Sequence, residues 1–162
     1  MRHTTGGVGE IQIELLKRGA ARSVNLELSP AYDEEATQLL REAALEDRAE
    51  RRLHDIAAEP DGVEAADIVV LHRVVCCYPD YERLLGAAAQ RARRLLVFSY
   101  PPRNVVSRLF VGAENLAFRL LGREYRSFAH PPSAMLGLLG KRGLRRTFAH
   151  HSPVWQVAGL ER

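Results

Sequence analysis

Two nearly continuous apolar runs, Ile68-Val69-Val70-Leu71 and Leu95-Leu96-Val97-Phe98, flank a segment with helical spacing, Tyr81 to Arg93. A strand that is apolar on both faces must be covered on both faces, the condition met in a parallel sheet with helices above and below. The rest of the chain repeats this alternation. Ile11, Ile13, Leu15 and Leu16 mark a helix that stops at Gly19. Ser23 to Leu28 alternates apolar and polar residues as a short strand. Ser29-Pro30 then sets an N-cap with proline at the first helical position, and Asp33, Glu34 and Glu35 follow near the positive end of the helix dipole. Arg48 to Asp55 is expected as a third strand, and Asp67 to Val75, which contains the first apolar run, as a fourth.

Beyond the second apolar run, Pro101-Pro102 closes the strand. Asn104 to Leu121 is an amphipathic helix, and a further helix runs from Pro132 to Lys141 and stops at Gly143. The end of the chain breaks the alternation. Leu144 to His150 and Val154 to Leu160 read as strands joined only by His151-Ser152-Pro153, and so short a link reaches none but an antiparallel neighbour. The expected fold class is therefore α/β. It is a Rossmann-like, doubly wound, mostly parallel sheet with an antiparallel C-terminal hairpin, in a single domain over 1–162.

Composition excludes several classes. An apolar fraction of 46% and a charged fraction of 27% suit a globular domain, and no apolar stretch approaches a membrane span. The start, Met1-Arg2-His3-Thr4-Thr5, lacks the apolar run of a secretion signal. The two cysteines, Cys76 and Cys77, are adjacent, a spacing that disfavours a bridge. They read as small buried apolar groups in a protein of the reducing cytoplasm. The net charge of +3 comes almost wholly from arginine. The clusters Arg91-Arg93-Arg94 and Lys141-Arg142-Arg145-Arg146 adjoin strand-like runs and read as solvated element ends, so no nucleic-acid partner is expected. His150-His151 has no carboxylate or cysteine spacing around it, and no metal site is expected.

The candidate site residues lie where strands end. Gly6-Gly7-Val8-Gly9 precedes the first helix, where glycines permit either a plain turn or close approach to a ligand. Glu27, at the end of the following strand, is either a solvated charge or an acceptor for both hydroxyls of a ribose. Asp55 is either a turn-former or an acceptor for an adenine amino group, with the backbone of Ile56 beside the ring. His72, Arg73, Tyr78 and Tyr100 fall at or beyond the ends of strands four and five, where doubly wound folds bind ligands. His72 or Tyr78 can take a proton from an accepting group, and Arg73 can orient a carboxylate; simple packing or solvation is the other reading of each.

Gly6-Gly7-Val8-Gly9, Val24-Asn25-Leu26-Glu27-Leu28-Ser29-Pro30, His54-Asp55 and Ala66-Asp67-Ile68-Val69-Val70-Leu71 resemble the successive motifs of class I S-adenosylmethionine-dependent methyltransferases. The resemblance spans nearly the whole chain. It implies S-adenosyl-L-methionine as cofactor, with Gly6, Gly7 and Gly9 along its methionine part, Glu27 on the ribose and Asp55 with Ile56 at the adenine. Leu71 and the residues after it would end beside the transferred methyl group. By their strand-end positions His72 and Tyr78 are the candidate catalytic residues and Arg73 and Tyr100 candidate substrate contacts, while the helical segment over 104–142 is either substrate-side or plain packing on the sheet. Cys76-Cys77-Tyr78-Pro79-Asp80 and Phe128-Ala129-His130-Pro131-Pro132 are similar to small-molecule enzymes of the class, including the magnesium-protoporphyrin type, so a small-molecule methyl acceptor is expected.

One departure carries a structural expectation. In the family an apolar strand ends in an acid, followed by a spacer and a first glycine; here His3 and Thr5 stand at those places. Five residues are not expected to supply the strand, so the domain is expected to be N-terminally truncated, with the central strand missing and two edges unpaired. That gap makes a catalytically inactive, methyltransferase-like binding or partner protein the main alternative. A nicotinamide-dependent oxidoreductase is a further one, but it would place glycine or alanine where Gln12 stands.

Overall fold

The computed structural model describes residues 2–5, 9–123 and 125–162. Among the described residues seven strands form one sheet in the order β3-β2-β1-β4-β5-β7-β6, where β1 is Arg2–Thr5, β2 Ser23–Glu27, β3 Ala49–Leu53, β4 Ala66–Leu71, β5 Ala92–Tyr100, β6 Arg145–His151 and β7 Gln156–Glu161. The first five are parallel, and β7 runs antiparallel to both β5 and β6. The mostly parallel sheet and the reversed C-terminal hairpin are as expected.

The expected gap in the sheet is corrected. Arg2–Thr5 forms the strand between β2 and β4, with Arg2 opposite Ser23 and Ile68 and Thr5 opposite Leu26 and Leu71. Parallel pairing is made by backbone amides and carbonyls, so four residues suffice to bridge two neighbours without an apolar signature. The sequence reading required an apolar run, and this segment has none.

The described helices in the connections are α1 Glu10–Lys17, α2 Asp33–Glu42, α3 Tyr81–Arg91, α4 Val105–Leu120 and α5 Pro132–Lys141. Ser29 caps the turn before α2, its hydroxyl accepting from the Ala31 amide at 3.2 Å. Asp80 and Asn104 cap α3 and α4 in the same way, each accepting from the amide three residues on. Alternation along the strands divides the core. Val24 and Leu26 of β2, Val69 and Leu71 of β4, and Leu96, Phe98 and Tyr100 of β5 share one cluster with Leu84, Leu85, Met135 and Leu139 of α3 and α5. A smaller cluster joins Leu16 and Ala20 to Leu40 and Leu45 around α1 and α2.

Arginines tie off two helix ends. Arg48 reaches the carbonyls of Leu16 and Ala21, both at 3.2 Å, and that of Ala20 at the C-terminus of α1. Arg162 donates to Ala89 O at 2.7 Å and Ala92 O at 2.9 Å, binding the end of β7 to the last turn of α3. Arg162→Ala should lower unfolding stability by about 1–2 kcal/mol, since it removes two charge-assisted hydrogen bonds at a partly solvated position. Urea denaturation of both proteins checks this value; an unchanged midpoint would show that the clamp carries no load.

Candidate cofactor and acceptor clefts

At the carboxyl ends of β2, β3 and β4 a cleft of about 560 Å³ opens beside the point where the chain reverses its winding direction. Glu27 closes β2. Its Oε1 accepts from the amides of Leu28 (2.8 Å) and Ser29 (3.3 Å), so the carboxylate is held at the rim in one orientation. Ile56 is buried beneath the cleft and contributes an apolar wall.

Asp55, after β3, is more heavily engaged than its sequence position indicates. Its Oδ1 accepts from the amides of Ala57 (2.9 Å) and Ala58 (3.2 Å), and Oδ2 accepts from the Tyr78 hydroxyl at 2.9 Å. Partial burial and this bond to a carboxylate push the Tyr78 phenol up to about 12. Tyr78 is therefore a protonated donor at neutral pH, which departs from the expectation that it accepts a proton. Spacing alone did not place it on Asp55.

Gly9 begins α1 with φ of 86°, in the left-handed region, and a Cβ there would meet Gln12 Oε1 at 3.2 Å. Gln12 is itself buried and donates to the carbonyls of Ser23 (3.3 Å) and Glu50 (3.1 Å). It fills the space under the turn that a dinucleotide fold closes with a small residue. Gly6 and Gly7 lie outside the described residues.

Strand parity separates the residues expected beyond β4 and β5. Leu71 points into the α3–α5 core and is fully buried. His72 follows on the opposite face, half-buried, and lines neither cleft. Burial, together with Arg73, lowers its pKa, while Glu10 on α1 pulls the other way. Tyr100 has the parity of Leu96 and Phe98. It is 4% exposed and stacks on Phe98 at 5.3 Å, so it is a core residue and not the expected substrate contact. The sequence placed it correctly at the strand end but did not fix the face.

Arg73 adopts φ of 56°, rare for a residue with a side chain, and its amide donates to Ser99 Oγ at 2.8 Å. Its guanidinium lies 5.1 Å from the ring centre of Trp155, in the β6–β7 turn. Arg73 lines the first cleft, while Trp155 lines a second, apolar one of about 430 Å³. That second cleft is walled by Val106 and Phe110 of α4, by Tyr125 and Phe128, and by Cys76. Cys76 and Cys77 are half-buried cleft residues rather than the buried apolar groups expected. Tyr125 borders both clefts.

The segment bearing Tyr125 and Phe128 is fixed at several points. Asn115 of α4 donates to Ser127 O and accepts from Ser127 N, both at 2.8 Å. The Phe128 amide donates to Cys76 O at 2.7 Å, and His130 Nε2 lies 2.9 Å from Tyr78 O, its ring stacked on Phe128. No residue of α4 is buried, and Val106 and Leu109 are 75% and 70% exposed. Among the described residues no group of three or more histidine, cysteine or acidic side chains is placed to hold a metal, and no helix is long and apolar enough to cross a membrane.

No family model matches the chain, and no curated protein does. Solved structures do. The chain is similar to magnesium protoporphyrin IX methyltransferase from Synechocystis PCC 6803 with bound SAH, at a TM-score of 0.79 and 19% identity over 100% of this chain and 73% of that one. It is similar also to an O-methyltransferase family protein from Burkholderia thailandensis, at 0.81 and 18%, over 99% of this chain and 50% of that one. Mitomycin 7-O-methyltransferase gives 0.69 and 26%, over 99% and 48%. The chain has the class I methyltransferase fold. Its strand order, its reversed β7 and its cleft at the β1–β4 switch are those of that fold, and it spans about half of the last two structures.

The histidines of this methyltransferase fold give a pH test. Burial holds His72 and His130 below the usual imidazole pKa. The unfolded chain therefore takes up more protons as pH falls below about 6.5, and stability should fall with it until the depressed folded-state values are passed. His130→Gln should flatten part of this loss. Urea midpoints at pH 7.5 and pH 5 for both proteins measure it, and identical slopes would contradict the assignment.

Proposed function

We propose that the chain binds S-adenosyl-L-methionine in the 560 Å³ cleft and methylates a small molecule held in the apolar cleft beside it. The observation that carries this reading is the Glu27 carboxylate, prealigned by two backbone amides at the end of β2. In that position it accepts from a ribose without further ordering. Asp55 Oδ2, with Tyr78 as its one donor among the described residues, retains a lone pair for an adenine amino group, and Ile56 supplies the apolar surface for the ring. Gly9 leaves room for close approach of the methionine part, and the same role is proposed for Gly6 and Gly7.

The bound cofactor would supply an activated methyl group on a sulfonium. The protein's own task is to position the acceptor in line and to exclude water. Arg73 lies where the clefts meet and would orient an acidic acceptor group. Tyr78 holds Asp55 in place, and His72, which lines neither cleft, is assigned no proton transfer. The apolar, aromatic walls of the second cleft favour an apolar acceptor. Free thiols at Cys76 and Cys77 suit a reducing, cytoplasmic setting. The inactive-partner alternative drew its force from a gap in the sheet, which β1 fills.

S-adenosylhomocysteine should raise the melting temperature of the chain, whereas NAD should leave it unchanged. Glu27→Ala should weaken S-adenosylhomocysteine binding by roughly 1.5–3 kcal/mol in calorimetry, the range for hydrogen bonds to a charged group. Stabilisation by NAD alone, or undiminished affinity in a folded Glu27→Ala protein, would overturn the reading.

A further inference from the structure

Two thiols stand in the wall common to the two clefts. Cys76 faces the apolar cleft and Cys77 the larger one, and their sulfur atoms are 3.5 Å apart. Adjacent residues in a strand would direct their side chains to opposite faces. Here the one-turn helix Val75–Cys77 brings both sulfurs to one side, where each lies near the Arg73 carbonyl, at 3.6 and 3.7 Å. The turn is held from both directions, by Cys77 N donating to Val74 O at 2.9 Å and by Phe128 N donating to Cys76 O. The Tyr125 hydroxyl lies 2.8 Å from the Cys77 sulfur.

A direct bond between these sulfurs is disfavoured. Successive Cα atoms are about 3.8 Å apart, short of the usual disulfide span. A ring closed through a third atom carries no such restriction, and soft centres bond thiolate sulfur in preference to oxygen or nitrogen. We propose that Cys76 and Cys77 form a vicinal-dithiol site that captures a thiophilic trivalent centre of the arsenical class, bonding both sulfurs at once.

For an arsenous oxide R–As=O, two S–H bonds break and two As–S bonds form. The oxygen leaves as water with both protons, and arsenic stays trivalent, so no oxidant or reductant is required. The pair is suited to the first step. A hydrogen bond from Cys76, and a second from Tyr125, lowers the Cys77 thiol to about 6, while the same contact raises Cys76. One thiolate shared by the pair is then available at neutral pH, with the second proton retained until ring closure. Both sulfurs border open clefts, so the reagent has an approach. The proposal does not depend on the cofactor reading, because capture requires neither cofactor nor acceptor.

The test uses the full chain and phenylarsine oxide, followed by intact-mass spectrometry. The wild type should take up one arsenical per chain with loss of one water, reversed by excess 2,3-dimercaptopropanol but not by the same thiol concentration of 2-mercaptoethanol. These two are the chain's only cysteines, so the adduct has one possible address. Cys76→Ser and Cys77→Ser should each lose the monothiol-resistant adduct. Because adjacent cysteines in an unfolded chain can also chelate, the native protein is compared with the same protein in urea, and native affinity should be at least tenfold higher. Native affinity equal to or below the denatured value, two arsenicals per chain, or release by the monothiol would overturn the proposal. The denatured comparison keeps the test decisive if either serine variant fails to fold.

Discussion

The fold depends on the double pairing of a four-residue strand. Through its backbone, β1 joins β3-β2 on one side to β4-β5-β7-β6 on the other, and among the described residues no other strand links the two halves. Unpaired, the facing edges of β2 and β4 would each leave buried amides and carbonyls without partners, at about 1–3 kcal/mol per group, against a total stability of about 5–15 kcal/mol. The same position makes the site. The winding direction reverses at β1, and the reversal parts the loops after β2 and β4 to leave the cleft between them.

Much of this architecture was legible in the sequence. The apolar runs at Ile68–Leu71 and Leu95–Phe98 mark the buried centre of the sheet, and the short link after His150 forces β7 to run backwards. β1 was not legible, for a physical reason. Periodicity reports side-chain burial, whereas Arg2–Thr5 is placed by backbone hydrogen bonds on both sides. Tyr100 shows a different limit. A strand's end is readable from its flanking prolines, but the face presented by its last residue depends on register, and Tyr100 shares the face of Leu96 and Phe98.

The candidate site divides along the same line. Glu27 and Asp55 stand at strand ends, as their spacing indicates, because alternating strands and helices bring every parallel strand to one edge. What the spacing does not contain is tertiary pairing. The Tyr78 hydroxyl on Asp55, the Arg73 guanidinium over Trp155 and the Tyr125 hydroxyl on Cys77 each join residues from separate loops. These contacts turn Tyr78 from a proposed base into a donor, and they make Cys76 and Cys77 part of a cleft wall. Tyr125 and Trp155 carried no sequence signal beyond being aromatic residues in turns.

Hydrogen exchange under native conditions tests the place of β1 most directly. If β1 is paired on both sides, the amides of His3, Thr4 and Thr5 that enter the ladders exchange by global unfolding, at the rates of Val24 and Val69 in the adjoining strands. Exchange of the whole segment at the rate of an exposed loop, with β2 and β4 still protected, would contradict the account.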